Sequence, residues 1–96
     1  MAKVYFISIY RQVKDPEKLA AYSKLAGPAI EAAGGRFLAR GVAVQAYEAG
    51  QLERTVIIEF DSIAQVSAMY EGAPYQRALA ALGDGAVRDI RVVAGV

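Results

Sequence analysis

A chain of 96 residues, 55% of them hydrophobic and with a net charge of +1, is long enough to bury roughly 60 to 65% of its unfolded surface as one domain without staples. Its balanced charges create no long-range field to steer nucleic acid or an acidic membrane surface, so neither is expected as a partner. The sequence has no Cys, His, Trp or Asn, which excludes a zinc site, a His-ligated haem, a Ser-His-Asp triad and a cysteine nucleophile within one chain and leaves acid or base work to Tyr, Asp, Glu, Lys and Arg.

The opening Met-Ala-Lys-Val-Tyr-Phe passes directly into a predicted strand, so no secretory leader is expected. No span approaches the roughly 20 apolar residues of a membrane helix. Absence of cysteine suits a reducing compartment, and cytoplasm is the expected location. The first strand, Val4 to Tyr10, alternates Val4, Phe6, Ser8 and Tyr10 with Tyr5, Ile7 and Ile9. Asp15-Pro16-Glu17 then starts a helix, with Asp as acceptor for free N–H groups and Pro tolerated at the first helical position. Leu19, Tyr22, Ala26, Ile30 and Ala33 form its buried stripe. Gly27-Pro28 is expected to interrupt and kink it, and Gly34-Gly35 to end it.

Arg36 to Gly41 reads as a second strand, with a bend or bulge at Gly41-Val42 and a continuation through Val44 to Glu48. Ala49 to Leu52 turns the chain into Glu53 to Phe60, in which Val56, Ile58 and Phe60 share one face and Thr55, Ile57 and Glu59 the other. Ser62 and Gln65 resemble a capping box before a short helix with Ile63, Val66 and Tyr70 inward. Gly72-Ala73-Pro74 breaks that helix and starts another, with Tyr75, Ala78, Leu79 and Leu82 inward. Ala86 to Ala94 is the last strand. Gly34-Gly35 and Gly83-Asp84-Gly85 are helix stops, because neither has the spacing of a phosphate-binding loop.

The order βαββαβ places two helices on one face of a four-stranded antiparallel sheet, an α+β fold of the ferredoxin-like type with the first and third strands central. Charges agree, since Arg36, Arg40, Arg88, Asp89 and Arg91 fall on the expected edge strands. Neither face of the two central strands is fully polar. A second copy packed sheet against sheet would cover the face that the helices leave open, so an obligate homodimer is expected, with an interface above roughly 1,200 Å².

Asp15-Pro16 with Tyr22, the run Gly34-Gly35-Arg36-Phe37-Leu38-Ala39-Arg40-Gly41, Arg54 with Ile57-Ile58-Glu59-Phe60, and Ala73-Pro74-Tyr75-Gln76 together resemble the domain of unknown function 1330 family, within the dimeric α/β-barrel superfamily. The resemblance covers nearly the whole chain. It implies a ferredoxin-like protomer that pairs through its sheet, with a small-molecule cleft between sheet and helices, and implies no reaction. The wider superfamily includes cofactor-free monooxygenases, haem-degrading enzymes, lactone isomerases and ligand-sensing domains, so fold leaves function open.

Glu59 is the first candidate for chemistry, because a carboxylate in a central strand must reach water, a cation or a ligand. Its structural alternative is an ion pair with Arg40 or Arg54. Arg40, beside the expected bulge, is placed to clamp an anion, with an edge-strand solubilising charge as the alternative. Arg54 is a candidate ligand-binding residue, with a pair to Glu48 across the hairpin turn as its architectural alternative. Tyr22, Tyr70 and Tyr75 can turn their hydroxyls into one pocket, or serve as core. The sequence therefore supports a small-molecule-binding homodimer with no metal or cofactor, and alternatively a cofactor-free enzyme using Glu59 as acid or base, Arg40 as anion clamp and a tyrosine as oxyanion donor.

Overall fold

The alternation in the first and third predicted strands becomes the two faces of one sheet. The computed structural model describes residues 2–96 and orders the chain as β1 (Val4–Val13), α1 (Pro16–Ala32), β2 (Arg36–Val42), β3 (Arg54–Phe60), α2 (Ile63–Glu71), α3 (Ala73–Leu82) and β4 (Ala86–Ala94). The strands form a single antiparallel sheet in the order β2-β3-β1-β4, so β1 and β3 are central as expected. This is the ferredoxin-like arrangement, with the second helical segment divided at Gly72 into α2 and α3.

Val4, Phe6, Ser8 and Tyr10 of β1 and Val56, Ile58 and Phe60 of β3 are buried, in one core with Tyr22, Ala26 and Ile30 of α1, Val66 and Met69 of α2, and Tyr75, Ala78 and Leu82 of α3. Burying side chains of this size is worth roughly 1.5 to 3 kcal/mol each. The alternate residues Tyr5, Ile7, Ile9, Thr55, Ile57 and Glu59 are only half-buried, because among the described residues no helix or strand covers that face.

The caps follow the expected chemistry. The Asp15 carboxylate accepts from the Glu17 and Lys18 N–H groups. The Ser62 hydroxyl accepts from the Gln65 N–H, while Gln65 reaches back to the Asp61 N–H instead of that of Ser62. Gly34 ends the α1 region at φ +94°, a conformation that favours glycine.

Four expectations change. α1 runs unbroken through Pro28; the carbonyl it deprives of a donor belongs to Lys24, and both residues are solvent-exposed, so water can satisfy it. Ile63 is exposed, and Met69 joins Val66 as the buried pair of α2. The strand does not continue from Val44 to Glu48: β2 ends at Val42, and residues 43–53 form a loop closed by the Ala43 N–H to Glu53 carbonyl bond, since β3 offers nothing further to pair with. The bulge lies not at Gly41-Val42 but at Leu38, where the β2–β3 register shifts between Phe37 and Ala39. Among the described residues no helix is long and apolar enough to cross a membrane.

Candidate functional site

The Leu38 bulge decides what faces the helices. Side chains three apart on a regular strand point to opposite faces, but the extra residue places both Phe37, opposite Ile58, and Arg40, opposite Val56, on the helix-covered side. There the Arg40 guanidinium lies 4.1 Å from the centre of the Phe37 ring, within cation–π range. These two side chains stand at a slot between α1 and the sheet. Its walls include Phe6, Val56 and Ile58 from the strands and Ala26, Gly27 and Ile30 from the helix. The slot opens to solvent at its mouth, and a core of about 30 Å³ is wide enough for the centres of water-sized atoms.

Polar groups reach the slot from Ser8, Tyr10, Tyr22, Ser23, Arg40 and Arg54. Two of them are unsatisfied: the Ser8 hydroxyl, on a residue 3% exposed, and the Arg54 Nε–H are buried with no hydrogen-bond partner. Ser8 pairs with Val56, two residues along β3 from Arg54, so the two side chains are diagonal neighbours on one sheet face. A buried donor left unpaired costs about 1 to 3 kcal/mol, which makes these groups the most demanding part of the wall.

Charge accumulates at the same end. Arg54 and Arg88 flank Tyr10, each guanidinium 5.8 and 5.7 Å respectively from its ring centre. Among the described residues none of Arg40, Arg54 and Arg88 has a carboxylate partner, whereas Lys3, Arg11, Lys18, Arg36 and Arg91 all sit in ion pairs. Arg88 also donates to the Tyr22 hydroxyl at 3.0 Å. Burial acts to lower the Arg88 pKa, but the surrounding Tyr22, Tyr75 and Tyr10 phenols outweigh it and hold the guanidinium above its ordinary range.

The three expected tyrosines do cluster. The Tyr22 and Tyr75 hydroxyls are 2.6 Å apart, and the Tyr70 ring lies 5.0 Å from that of Tyr75. Only Tyr22 lines the slot. Tyr75 is fully buried, and burial, reinforced by Tyr22, pushes its phenol well above the ordinary tyrosine range, so it stays neutral and does not serve as a base.

Glu59 lies on the opposite face of the sheet, so the structure does not bring it together with Arg40. Its ion-pair partner is Arg36 at 2.9 Å, not Arg40 or Arg54, and the Tyr5 hydroxyl donates to it at 3.2 Å. Arg36 also bonds Asp61, which pairs with Lys3; these two cations hold the Asp61 carboxyl below its ordinary range. The expected Arg54–Glu48 pair is absent: Glu48 is exposed in the 43–53 loop at φ +52°. Sequence reasoning missed Ser8, Tyr10 and Arg88. Ser8 carried a signal, as the one small polar residue in the apolar alternation of β1. Among the described residues no group of three or more acidic, His or Cys side chains is placed to hold a metal ion.

No curated protein matches the sequence. Several solved structures share the fold. RPA0582, a protein of unknown function from Rhodopseudomonas palustris, is 21% identical with a TM-score of 0.72, over 97% of this chain and 80% of that one. A Caulobacter crescentus CB15 protein, described as a candidate antibiotic biosynthesis monooxygenase, is 15% identical with a TM-score of 0.66, over 99% and 91%. A dimeric ferredoxin-like protein of unknown function from Thermobifida fusca YX is 20% identical with a TM-score of 0.61, over 99% and 92%. At these identities the likeness establishes the fold alone. Residues 3–96 match the family described as Domain of unknown function (DUF1330), and the chain belongs to that family.

Proposed function

We propose that the protein is a homodimer that binds a small organic molecule in the slot between α1 and the sheet of each protomer. The observation that carries the binding reading is an open slot whose buried wall holds a hydroxyl and a guanidinium N–H that no protein atom satisfies. Sites for small molecules combine apolar walls with a few placed polar groups of this kind. The cysteine-free sequence suits a reducing, cytoplasmic setting.

The homodimer is supported by the uncovered sheet face. Ile7 faces Ile57, and Ile9 faces Thr55, across the centre of it, while Arg36–Glu59 and Arg91–Asp89 neutralise one another at its two ends. The chain is 35 by 32 Å across and only 15 Å thick, so its face offers on the order of 1,000 Å², enough for the roughly 800 Å² per partner of a standard interface. Solved proteins of this fold from Thermobifida fusca YX and Bacteroides fragilis are described as dimeric.

Cofactor-free catalysis by Glu59, Arg40 and a tyrosine gains no support from the geometry, because the slot wall holds no carboxylate and Glu59 faces away from it. A thermal-shift and ligand-observed NMR screen with small carboxylic acids, quinones and lactones tests the binding reading. Gly27→Ala serves as the blocked control, since the added methyl projects toward the Arg40 guanidinium at 3.9 Å and takes space from a narrow slot. Ligands that bind wild type and lose affinity in Gly27→Ala are expected; no ligand, or ligands indifferent to Gly27→Ala, would contradict the reading.

A further inference from the structure

The chemistry of the slot narrows its guest. We infer that the ligand is a small monocarboxylic acid, its carboxylate held by Arg54 and Ser8 and its apolar body lying between the Phe6, Val56 and Ile58 side of the sheet and the Ile30 side of α1. This rests on the slot being a ligand site at all.

Three features lead there. First, both unsatisfied groups, the Arg54 Nε–H and the Ser8 hydroxyl, can donate. An acceptor with two oxygens in one plane satisfies two donors at once, and guanidinium groups are well matched to carboxylates. Second, the charge is uncompensated. Arg54 has no carboxylate partner, and neither do Arg40 at the mouth or Arg88 beyond Tyr10. Arg54 is half-buried with its Nε enclosed, so its charge is only partly solvated, and an anionic guest supplies the missing counter-charge. The other cations without a carboxylate partner among the described residues, Lys14, Lys24 and Arg77, are solvent-exposed, whereas Arg54 and Arg88 are half-buried. Third, the walls are apolar, with Phe6, Val56, Ile58 and Ile30 beside the two donors, which suits an acid that carries an apolar body. A phosphate group, with a further charged oxygen and no apolar part, would leave charge facing Val56 and Ile58.

Arg88 has a positioning role here. Through its hydrogen bond to the Tyr22 hydroxyl, which in turn meets Tyr75 at 2.6 Å, it fixes the Tyr22 ring at the slot wall. Arg40, exposed and resting on Phe37, is free to swing over a bound guest.

The test measures binding to the full-length protein by calorimetry or ligand-observed NMR, using benzoate and cinnamate, their neutral relatives benzamide and benzyl alcohol, and acetate and inorganic phosphate. Benzoate or cinnamate should bind at least about tenfold more tightly than the neutral compounds or phosphate, as charge-assisted hydrogen bonds allow. Arg54→Met should weaken the acid roughly ten- to a hundredfold, Arg54→Lys less, and Ser8→Ala by about two- to tenfold. Affinity for benzyl alcohol should change little in all three. If neutral compounds bind as tightly as the acids, or if Arg54→Met and Ser8→Ala leave acid affinity unchanged, the two donors serve a resident water only; the acid inference then falls while the slot remains a ligand site. If nothing in the panel binds wild type, the slot reading falls with it.

Discussion

Replacing Ser8 by alanine removes a hydroxyl that is buried in β1, on a residue 3% exposed, and that has no hydrogen-bond partner. Deleting a buried serine usually costs stability, because a hydrogen bond worth about 1 kcal/mol is lost with it. Here there is no bond to lose, and the desolvation penalty of the hydroxyl, about 1 to 3 kcal/mol, is relieved. Alanine's lower strand propensity offsets a few tenths of this. The ligand-free variant should therefore be more stable by about 1 kcal/mol, a rise in Tm of roughly 4 to 8 °C for a domain of this size. Urea and thermal unfolding at one fixed protein concentration measure it, since the proposed dimer would make stability depend on concentration, and an unchanged m-value would show that the compactness of the two states is unaltered. A loss of about 1 kcal/mol would mean that the hydroxyl is satisfied in the free protein and would refute the reasoning.

Tyr75→Phe tests the buried phenol. A folded pKa raised above the ordinary 10.0 gives stability that is complete below pH 10 and is lost as pH rises, because only the unfolded chain then releases the proton; wild type should lose about 1.4 kcal/mol per pH unit above pH 10 that the variant retains, as followed by urea melts. Gly35→Ala should destabilise by roughly 1 to 3 kcal/mol, since the new methyl would lie 2.6 Å from Ile30 Cγ2 and 2.9 Å from Phe60 Cζ; a melt equal to wild type would contradict this packing. Ile7→Lys, at the centre of the open face, should weaken dimerisation by roughly 2 kcal/mol or more, visible as monomer in sedimentation at micromolar concentration. Ile63→Lys, exposed on α2, should sediment as wild type does.

The strand order, the core stripes and the caps could be read from the sequence because each rests on local chemistry: the alternation in β1 and β3, Asp15 before Pro16, Gly34 after α1. The site was less legible for a physical reason. Which face Arg40 occupies depends on one extra residue at Leu38, and nothing in the run Phe37-Leu38-Ala39 distinguishes a bulge there from one at Gly41. Glu59 drew notice as a carboxylate in a central strand, but its face is set by register, and its partner, Arg36, sits directly opposite it on β2. Arg88 looked like an edge charge. It faces the helices beside Tyr10 because β4 pairs in register with β1, a long-range fact no local pattern carries.

The central claim, that the slot between α1 and the sheet takes a small ligand, is tested most directly by methyl chemical-shift mapping during a benzoate titration. The sheet separates two sets of reporters: Ile30, Val56 and Ile58 at the slot, and Ile7, Ile9 and Ile57 on the open face. Saturable shifts confined to the first set are predicted. Saturable shifts confined to the second set, or none in either with benzoate or any other compound of the panel while the protein is folded, would contradict the account.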